Sequence, residues 1–320
     1  MTSGQQATTL RPLPDATPQT SSRFGDLWRE MNRPQARAGY LFLLPSLIVL
    51  AIFVFWPIIQ SFILSLQNWT FGAKEVEWIG LANFERMFAD PRMWGALKNT
   101  LYYAAIVVPV GLLISLLLAL GLNERIPGRT VLRAAYFLPV IASFAIVAIV
   151  WKFLLNPDIG QFAWWFKQIG VPTRDWLRDA RYAMSAVIMV SIWKNIGFNM
   201  VILLAGLQGI PDVYYEAAKV DGANRWQRFR YVTMPMLKST WIFVLVISVI
   251  ASFQVFDQAW VMTPRGGPLF STETMVTYVY YQGIELLDIS YASTIGVLLF
   301  VIVFVLTLIQ LRVLRFRDTQ

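Results

Sequence analysis

Six long apolar segments separated by short polar stretches set the pattern of this chain. They lie near Tyr40–Gln67, Ala96–Leu122, Val131–Leu155, Ala183–Leu207, Thr240–Met262 and Tyr291–Leu311. Each reaches the length of about 20 residues that a helix needs to cross bilayer hydrocarbon. The pattern predicts an all-α integral membrane protein with six transmembrane helices. Pro57, Pro109 and Pro139 fall inside these segments. They are expected to kink or locally unwind the helices, which neighbouring helices can accommodate. Residues 1–38 are polar and rich in Thr, Ser, Gln and Pro, the composition of a disordered tail. Within Arg23–Arg37, Phe24, Leu27 and Trp28 have helical spacing. That basic stretch fits a short helix on the inner membrane surface or a solvated tail equally well. The first apolar run starts too late and is too long for a secretory signal.

Composition agrees with the pattern. The 320 residues are 57% hydrophobic and only 14% charged, with mean hydropathy +0.53. A soluble domain carries about 25% charged residues. Cysteine and histidine are both absent. That removes thiolate chemistry, the commonest general base and the commonest metal ligand, and lowers the expectation of catalysis. No GxxxxGK[ST] run occurs, so the chain lacks the phosphate-cradling loop of a P-loop ATPase. No internal repeat is evident. The net charge of +8 reads as topology and contact with anionic lipid, not as nucleic-acid binding. Sixteen of the 27 Lys and Arg fall on one side of the six segments and ten on the other. The positive-inside rule then places both termini and the 208–238 loop in the cytoplasm. Trp56, Trp69, Trp151 and Trp260 fall near the outer ends, where an aromatic belt belongs. Among the outer loops, Asn156–Tyr182 is longest and is expected to lie on the membrane surface, and Thr263–Thr274 is a Gly- and Pro-punctuated turn.

The longest polar run on the basic side is Tyr215–Pro235, YEAAKVDGANRWQRFRYVTMP. Pro211 and Asp212 suit a first helical turn. Gly222 can end that helix in the left-handed conformation. Asp221 or Asn224 can cap a second helix. That second helix carries Trp226 and Phe229 on one side and Arg225 and Arg228 on another, and is expected to stop at Pro235. Ala217, Ala218 and Ala223 make a small-residue patch that another protein can approach closely.

The anchors Glu216-Ala217-Ala218, Asp221-Gly222-Ala223, Phe229 and Pro235, at this spacing, resemble the EAA loop of bacterial ABC importer membrane subunits. In that family the loop forms a coupling helix that docks into a cleft on a cytoplasmic ATPase subunit. The resemblance extends from about Tyr40 to the C-terminus. Leu138-Pro139, Trp193-Lys194, Leu207 to Pro211, and Phe256-Asp257 with Thr263 through Pro268 look like the sugar-permease branch, of maltose and glycerol-3-phosphate type. Some members of the maltose type carry extra N-terminal helices and a large outer domain; this chain looks like the compact six-helix form.

Two intramembrane ionisable residues mark a candidate pathway, because such groups are costly in a bilayer. Lys194 lies in segment four beside Asn195, with Asn199 one turn on. Asp257 lies in segment five with Gln254 and Gln258, at spacings that share one face of a continuous helix. Amides and a carboxylate flanked by aromatic rings suit a sugar, whose hydroxyls need polar partners and whose ring faces pack on flat apolar surfaces. Interhelical hydrogen bonding, including a Lys194–Asp257 bridge, explains any single one of these residues equally well.

The resemblance implies a type I ABC importer permease fold, with a cytoplasmic tail at 1–38, a permease domain at 39–314 and a short tail at 315–320. It implies a non-catalytic subunit in the bacterial inner membrane, importing a mono- or oligosaccharide. The implied partners are a second, homologous permease, two ATPase subunits and an extracytoplasmic solute-binding protein. ATP and Mg would be bound by the ATPase, leaving no cofactor in this chain. Glycerol-3-phosphate or a related polyol phosphate is the alternative substrate. A self-contained secondary carrier, which usually has more helices and inverted repeats, and a membrane scaffold or enzyme are the other classes.

Overall fold

The computed structural model describes residues 34–69, 76–124, 126–170 and 172–315. The expected surface helix around Phe24, Leu27 and Trp28 lies outside them. The chain divides into two compact units, Met1–Ile58 and Ile59–Gln320. In the first, α1 (Pro34–Leu50) runs into a widened π turn at Ala51–Phe55; the helix resumes as α2 (Trp56–Ser65), most of which belongs to the second unit. A proline clashes with the carbonyl four residues earlier. The wide turn immediately before Pro57 relieves that clash without ending the helix.

In the second unit, a two-residue antiparallel ribbon pairs β1 (Gln67–Asn68) with β2 (Glu77–Trp78). Then come α3 (Ala82–Ala89), the long α4 (Pro91–Asn123), α5 (Arg129–Ile141), α6 (Phe144–Leu154), α7 (Gln161–Gln168) and α8 (Ala183–Gln208). The chain continues through α9 (Asp212–Val220), α10 (Arg225–Arg228), α11 (Met234–Phe253), α12 (Asp257–Met262), α13 (Met275–Tyr280) and α14 (Ile289–Arg315). Among the described residues, five helices are long and apolar enough to cross a membrane: Gly39–Ser65, Pro91–Asn123, Ala183–Gln208, Arg225–Met262 and Ile289–Val313. The bent pair α5–α6 supplies the sixth expected segment.

That third segment is not a simple kinked rod. It bends by 99°. The break lies at Ala142-Ser143, three residues after Pro139, where both residues are extended. Ser143 restarts the helix by accepting the Ile146 N–H on its hydroxyl. Pro109, by contrast, sits inside an unbroken α4. Pro235 does not stop the second loop helix. A π turn at Phe229–Thr233 precedes it and the helix continues into α11, by the same accommodation seen before Pro57.

Packing centres on α4 against α8. One apolar cluster includes Tyr103, Val107, Val187, Val190, Ala259 and Met262. A second includes Val108, Leu112, Leu116, Met200, Leu203 and Leu237. The α5–α8 crossing is close because Gly197 has no side chain: a Cβ there would run into the carbonyl of Tyr136.

The start of α4 is fixed by a polar knot. Asp90 caps the helix, accepting the Arg92 N–H at 2.9 Å. Its other oxygen accepts the hydroxyls of Tyr278 and Tyr291. Arg92 donates twice to Glu273, at 2.8 and 2.7 Å. Burial acts to raise the Asp90 carboxyl, but the two phenol donors and the backbone N–H groups of Arg92 and Met93 outweigh it and hold the carboxyl below its usual range. Burial pushes Glu273 up, against the pull of Arg92.

Two outcomes follow. Gly197→Ala should lower thermal stability in detergent by about 1–3 kcal/mol, the ordinary cost of overpacking. Gly95→Ala, where an added Cβ meets nothing within 4 Å, should not. A lowered Asp90 carboxyl contributes stability that is complete above the unfolded value of about 4 and is lost as pH falls through the folded value. Asp90→Asn should therefore cost roughly 1–3 kcal/mol at neutral pH. The gap from the native protein should close on acidification below pH about 4. Thermal unfolding of both proteins from pH 7 to 3 checks this; a pH-independent gap would contradict it.

Candidate functional site

Between the two apolar clusters lies a polar layer. On α4 the first cluster ends at Val107 and the second begins at Val108; on α8 the corresponding limits are Val190 and Met200. Asn195 and Asn199 occupy the gap on α8 and line a cavity of about 280 Å³. Gln254, Asp257 and Gln258 line it from the other side. They do so despite a break: α11 ends at Phe253 and α12 begins at Asp257, so the three residues do not share one continuous helix. Irregular backbone at Gln254–Phe256 brings them round instead, and the freed Val255 carbonyl accepts the Thr274 hydroxyl at 3.0 Å.

The polar residues of the cavity divide into two kinds. Gln258 donates to the Tyr103 hydroxyl at 3.0 Å and to Ser191 at 3.3 Å, tying α12 to α4 and α8. Asn199 donates to Ser248 on α11 at 3.3 Å. Asn195, Gln254 and Asp257 make no side-chain hydrogen bond among the described residues. Their polar capacity is left for something else. Aromatic surface stands beside them in Phe144, Phe198 and Phe256, and Phe256 is stacked on Trp260 with ring centroids 5.8 Å apart.

Lys194 stands apart. It is buried, its Nζ lies 3.4 Å from the Val140 carbonyl at the end of α5, and it sits 4.2 Å over the Phe144 ring. No Lys194–Asp257 bridge forms among the described residues. A cation at the last carbonyls of a broken helix meets both their unpaired lone pairs and the negative end of the helix dipole. Sequence reasoning missed Tyr103 and Ser248 as cavity residues. Both are polar groups on otherwise apolar segments, and that was the available signal. It also missed the Asp90–Glu273 knot, for which Asp90-Pro91 was a legible helix start.

The loop at 208–238 has the expected form. Helix α9 starts after Pro211 and ends in a left-handed Gly222, φ +76°. The Ala223 N–H reaches back to the Ala218 carbonyl at 2.9 Å and the Gly222 N–H to Lys219 at 3.0 Å, the double closure of a glycine-terminated helix. Asn224, not Asp221, caps α10, in a reciprocal box with Gln227. Tyr215 and Phe229 pack on the second apolar cluster, and the Tyr215 hydroxyl lies 3.1 Å from that of Thr233. Glu216, Ala217, Asp221, Gly222 and Pro235 are exposed; Ala218, Ala223 and Phe229 are half-buried. The loop is thus anchored on one side and open on the other.

The family model for binding-protein-dependent transport system inner membrane components matches residues 111–317, and the chain belongs to that family. It is 34% identical over 292 residues to the trehalose/maltose transport system permease protein MalF of Thermococcus litoralis, covering 91% of this chain and 98% of the relative. It is 31% identical over 306 residues to the arabinooligosaccharides transport system permease protein AraP of Bacillus subtilis, covering 95% of each. Among solved structures it resembles a chain of a bacterial alginate ABC transporter in complex with an alginate pentasaccharide-bound periplasmic protein. The TM-score is 0.78 at 26% identity, covering 89% of this chain and 95% of that one. With its apolar helices, the family makes this a multi-pass membrane protein.

The division of the cavity residues predicts different phenotypes. Gln258→Leu should lower thermal stability by about 1–3 kcal/mol, because the buried Tyr103 and Ser191 hydroxyls lose a partner. Asn195→Ala should change stability by less than about 0.5 kcal/mol, the range of a residue with no such tie. Equal losses in detergent melting curves would remove the distinction.

Proposed function

We propose that this chain is the membrane-spanning subunit of an ATP-driven, binding-protein-dependent importer of a carbohydrate, forming half of the translocation pathway. The observation that carries the reading is the polar layer. Three hydrogen-bonding side chains without partners among the described residues face a cavity that also presents aromatic rings, midway along two helices of bilayer length. A sugar needs both surfaces. The names of the relatives and of the similar structure, which specify trehalose, maltose, arabinooligosaccharides and alginate, favour the same substrate class. A phosphorylated polyol is the weaker reading. The described lining residues include Asp257 and no Lys or Arg, and the Lys194 amine is directed to Val140.

In this reading Asn195, Gln254 and Asp257 contact the passing substrate, while Asn199 and Gln258 hold the helices that frame it. Lys194 positions the α5–α6 break beside the pathway. No group performs bond chemistry, and the chain is a non-catalytic subunit. Both termini and the 208–238 loop face the cytoplasm of a bacterial cell. There Glu216, Ala217, Ala218, Asp221, Gly222 and Ala223 present the docking surface to an ATPase subunit, which binds ATP and Mg. Phe229 and Pro235 anchor that surface to the transmembrane helices. A second permease completes the pathway, and a solute-binding protein delivers to its outer mouth. Closure of the ATPase pair moves α9, and the anchored loop passes the motion to α11. Such switching requires rigid elements.

Co-reconstitution with the partner subunits tests the reading. Asn195→Ala, Gln254→Ala and Asp257→Asn should each weaken the apparent affinity for substrate-stimulated ATP hydrolysis by about tenfold, the value of a typical lost polar contact. Three unchanged affinities would remove the pathway assignment. Gly222→Trp, which forces a bulky side chain into left-handed backbone, should abolish uptake while ATP hydrolysis and membrane insertion persist. Normal uptake by that variant would remove the coupling assignment.

A further inference from the structure

A larger cavity of about 600 Å³ opens at the far end of α4 from Asp90. Leu117 and Leu120 of α4, Leu207 of α8 and Trp226 of α10 give it an apolar wall, and Arg225 and Arg228 give it a cationic side. The Arg228 Nε is buried and makes no hydrogen bond among the described residues. Arg225 meets Glu124 at 3.1 Å, but both side chains remain largely exposed, at 86% and 62%. One net positive charge therefore remains among Glu124, Arg225 and Arg228. Val110, Leu113 and Leu117 form an exposed apolar stripe on α4 that leads from the membrane-spanning part of the helix into the cavity. Trp226, 67% exposed, lines the same cavity, and tryptophan is the side chain enriched at membrane–water interfaces.

The geometry points to a binding site for an anionic phospholipid. The phosphate sits against Arg228 and Arg225, and one acyl chain follows Leu117, Leu113 and Val110 along α4. Charge complementarity selects an anion, and the stripe selects an amphiphile over a soluble one. The lipid would bridge α4 and α10, so membrane composition would set how firmly the 208–238 loop is held. The inference rests on the position of the cavity at the ends of two bilayer-length helices and not on the transported substrate.

Native mass spectrometry of the full chain, purified in detergent and titrated with palmitoyl-oleoyl phosphatidylglycerol or the matching phosphatidylcholine, tests it. Phosphatidylglycerol should be retained preferentially. Arg225→Gln and Arg228→Gln should each reduce that preference about fivefold, the weight of one basic side chain near an anionic lipid. Arg230→Gln, an exposed residue outside the cavity, is the matched loss of charge and should leave the preference intact. Leu117→Trp, which fills the groove, should reduce retention of phosphatidylglycerol even where an arginine variant fails to fold. Equal retention of the two lipids, or equal effects of Arg230→Gln and Arg228→Gln, overturns the proposal. Displacement by inorganic phosphate alone overturns it too, leaving a simple anion site. A photo-cross-linking amino acid at Leu117 in native membranes should give phospholipid adducts; adducts to protein alone would assign the groove to a neighbouring subunit.

Discussion

Backbone amides and carbonyls find no water inside a bilayer, so any that a proline or a helix break releases must be met by the protein itself. Much of this chain follows from that constraint. Pro57 and Pro235 are each preceded by a π turn that widens the helix. Where helices do break, a side chain from another element meets the exposed carbonyl: Lys194 for Val140 and Thr274 for Val255. Arg133 does the same for Leu122 at the end of α4. Asn83 donates to the carbonyls of Ser65 and Gln67 where α2 gives way to the ribbon. Polar residues in apolar segments here serve mainly to close the hydrogen-bond account of the backbone.

Those same breaks create the site. Irregular backbone at membrane depth is tolerated where it is buried in protein or lines a cavity. The Gln254–Phe256 interruption does both. It turns Gln254 and Asp257 toward Asn195, leaving a polar layer between two apolar clusters that hold α4 against α8. The clusters keep the helices rigid on either side of the layer. The 208–238 loop is built on the second cluster through Tyr215 and Phe229, so a displacement of its exposed face reaches α8 and α11 without crossing a flexible joint.

The number and placement of apolar segments were legible because hydropathy over 20 residues needs no tertiary information. The loop was legible because glycine, asparagine and proline impose local geometry; Gly222 and Asn224 act within a few residues of themselves. Two kinds of information were not. Whether proline breaks or merely widens a helix depends on what packs nearby: Pro109 leaves α4 unbroken, while a 99° bend follows Pro139. And whether an intramembrane polar side chain faces a cavity or a carbonyl depends on the partner helix. Lys194 and Asn195 are adjacent in sequence and do different things for that reason.

The most direct test uses the absence of cysteine from the chain. A single cysteine at Asn195 can be probed in the reconstituted complex with a membrane-impermeant thiol reagent from either side. If the polar layer is the pathway, the thiol reacts from the cytoplasmic side without nucleotide and from the outer side when ATP hydrolysis is trapped. A thiol unreactive from both sides, or reactive from one side regardless of nucleotide, would contradict the account.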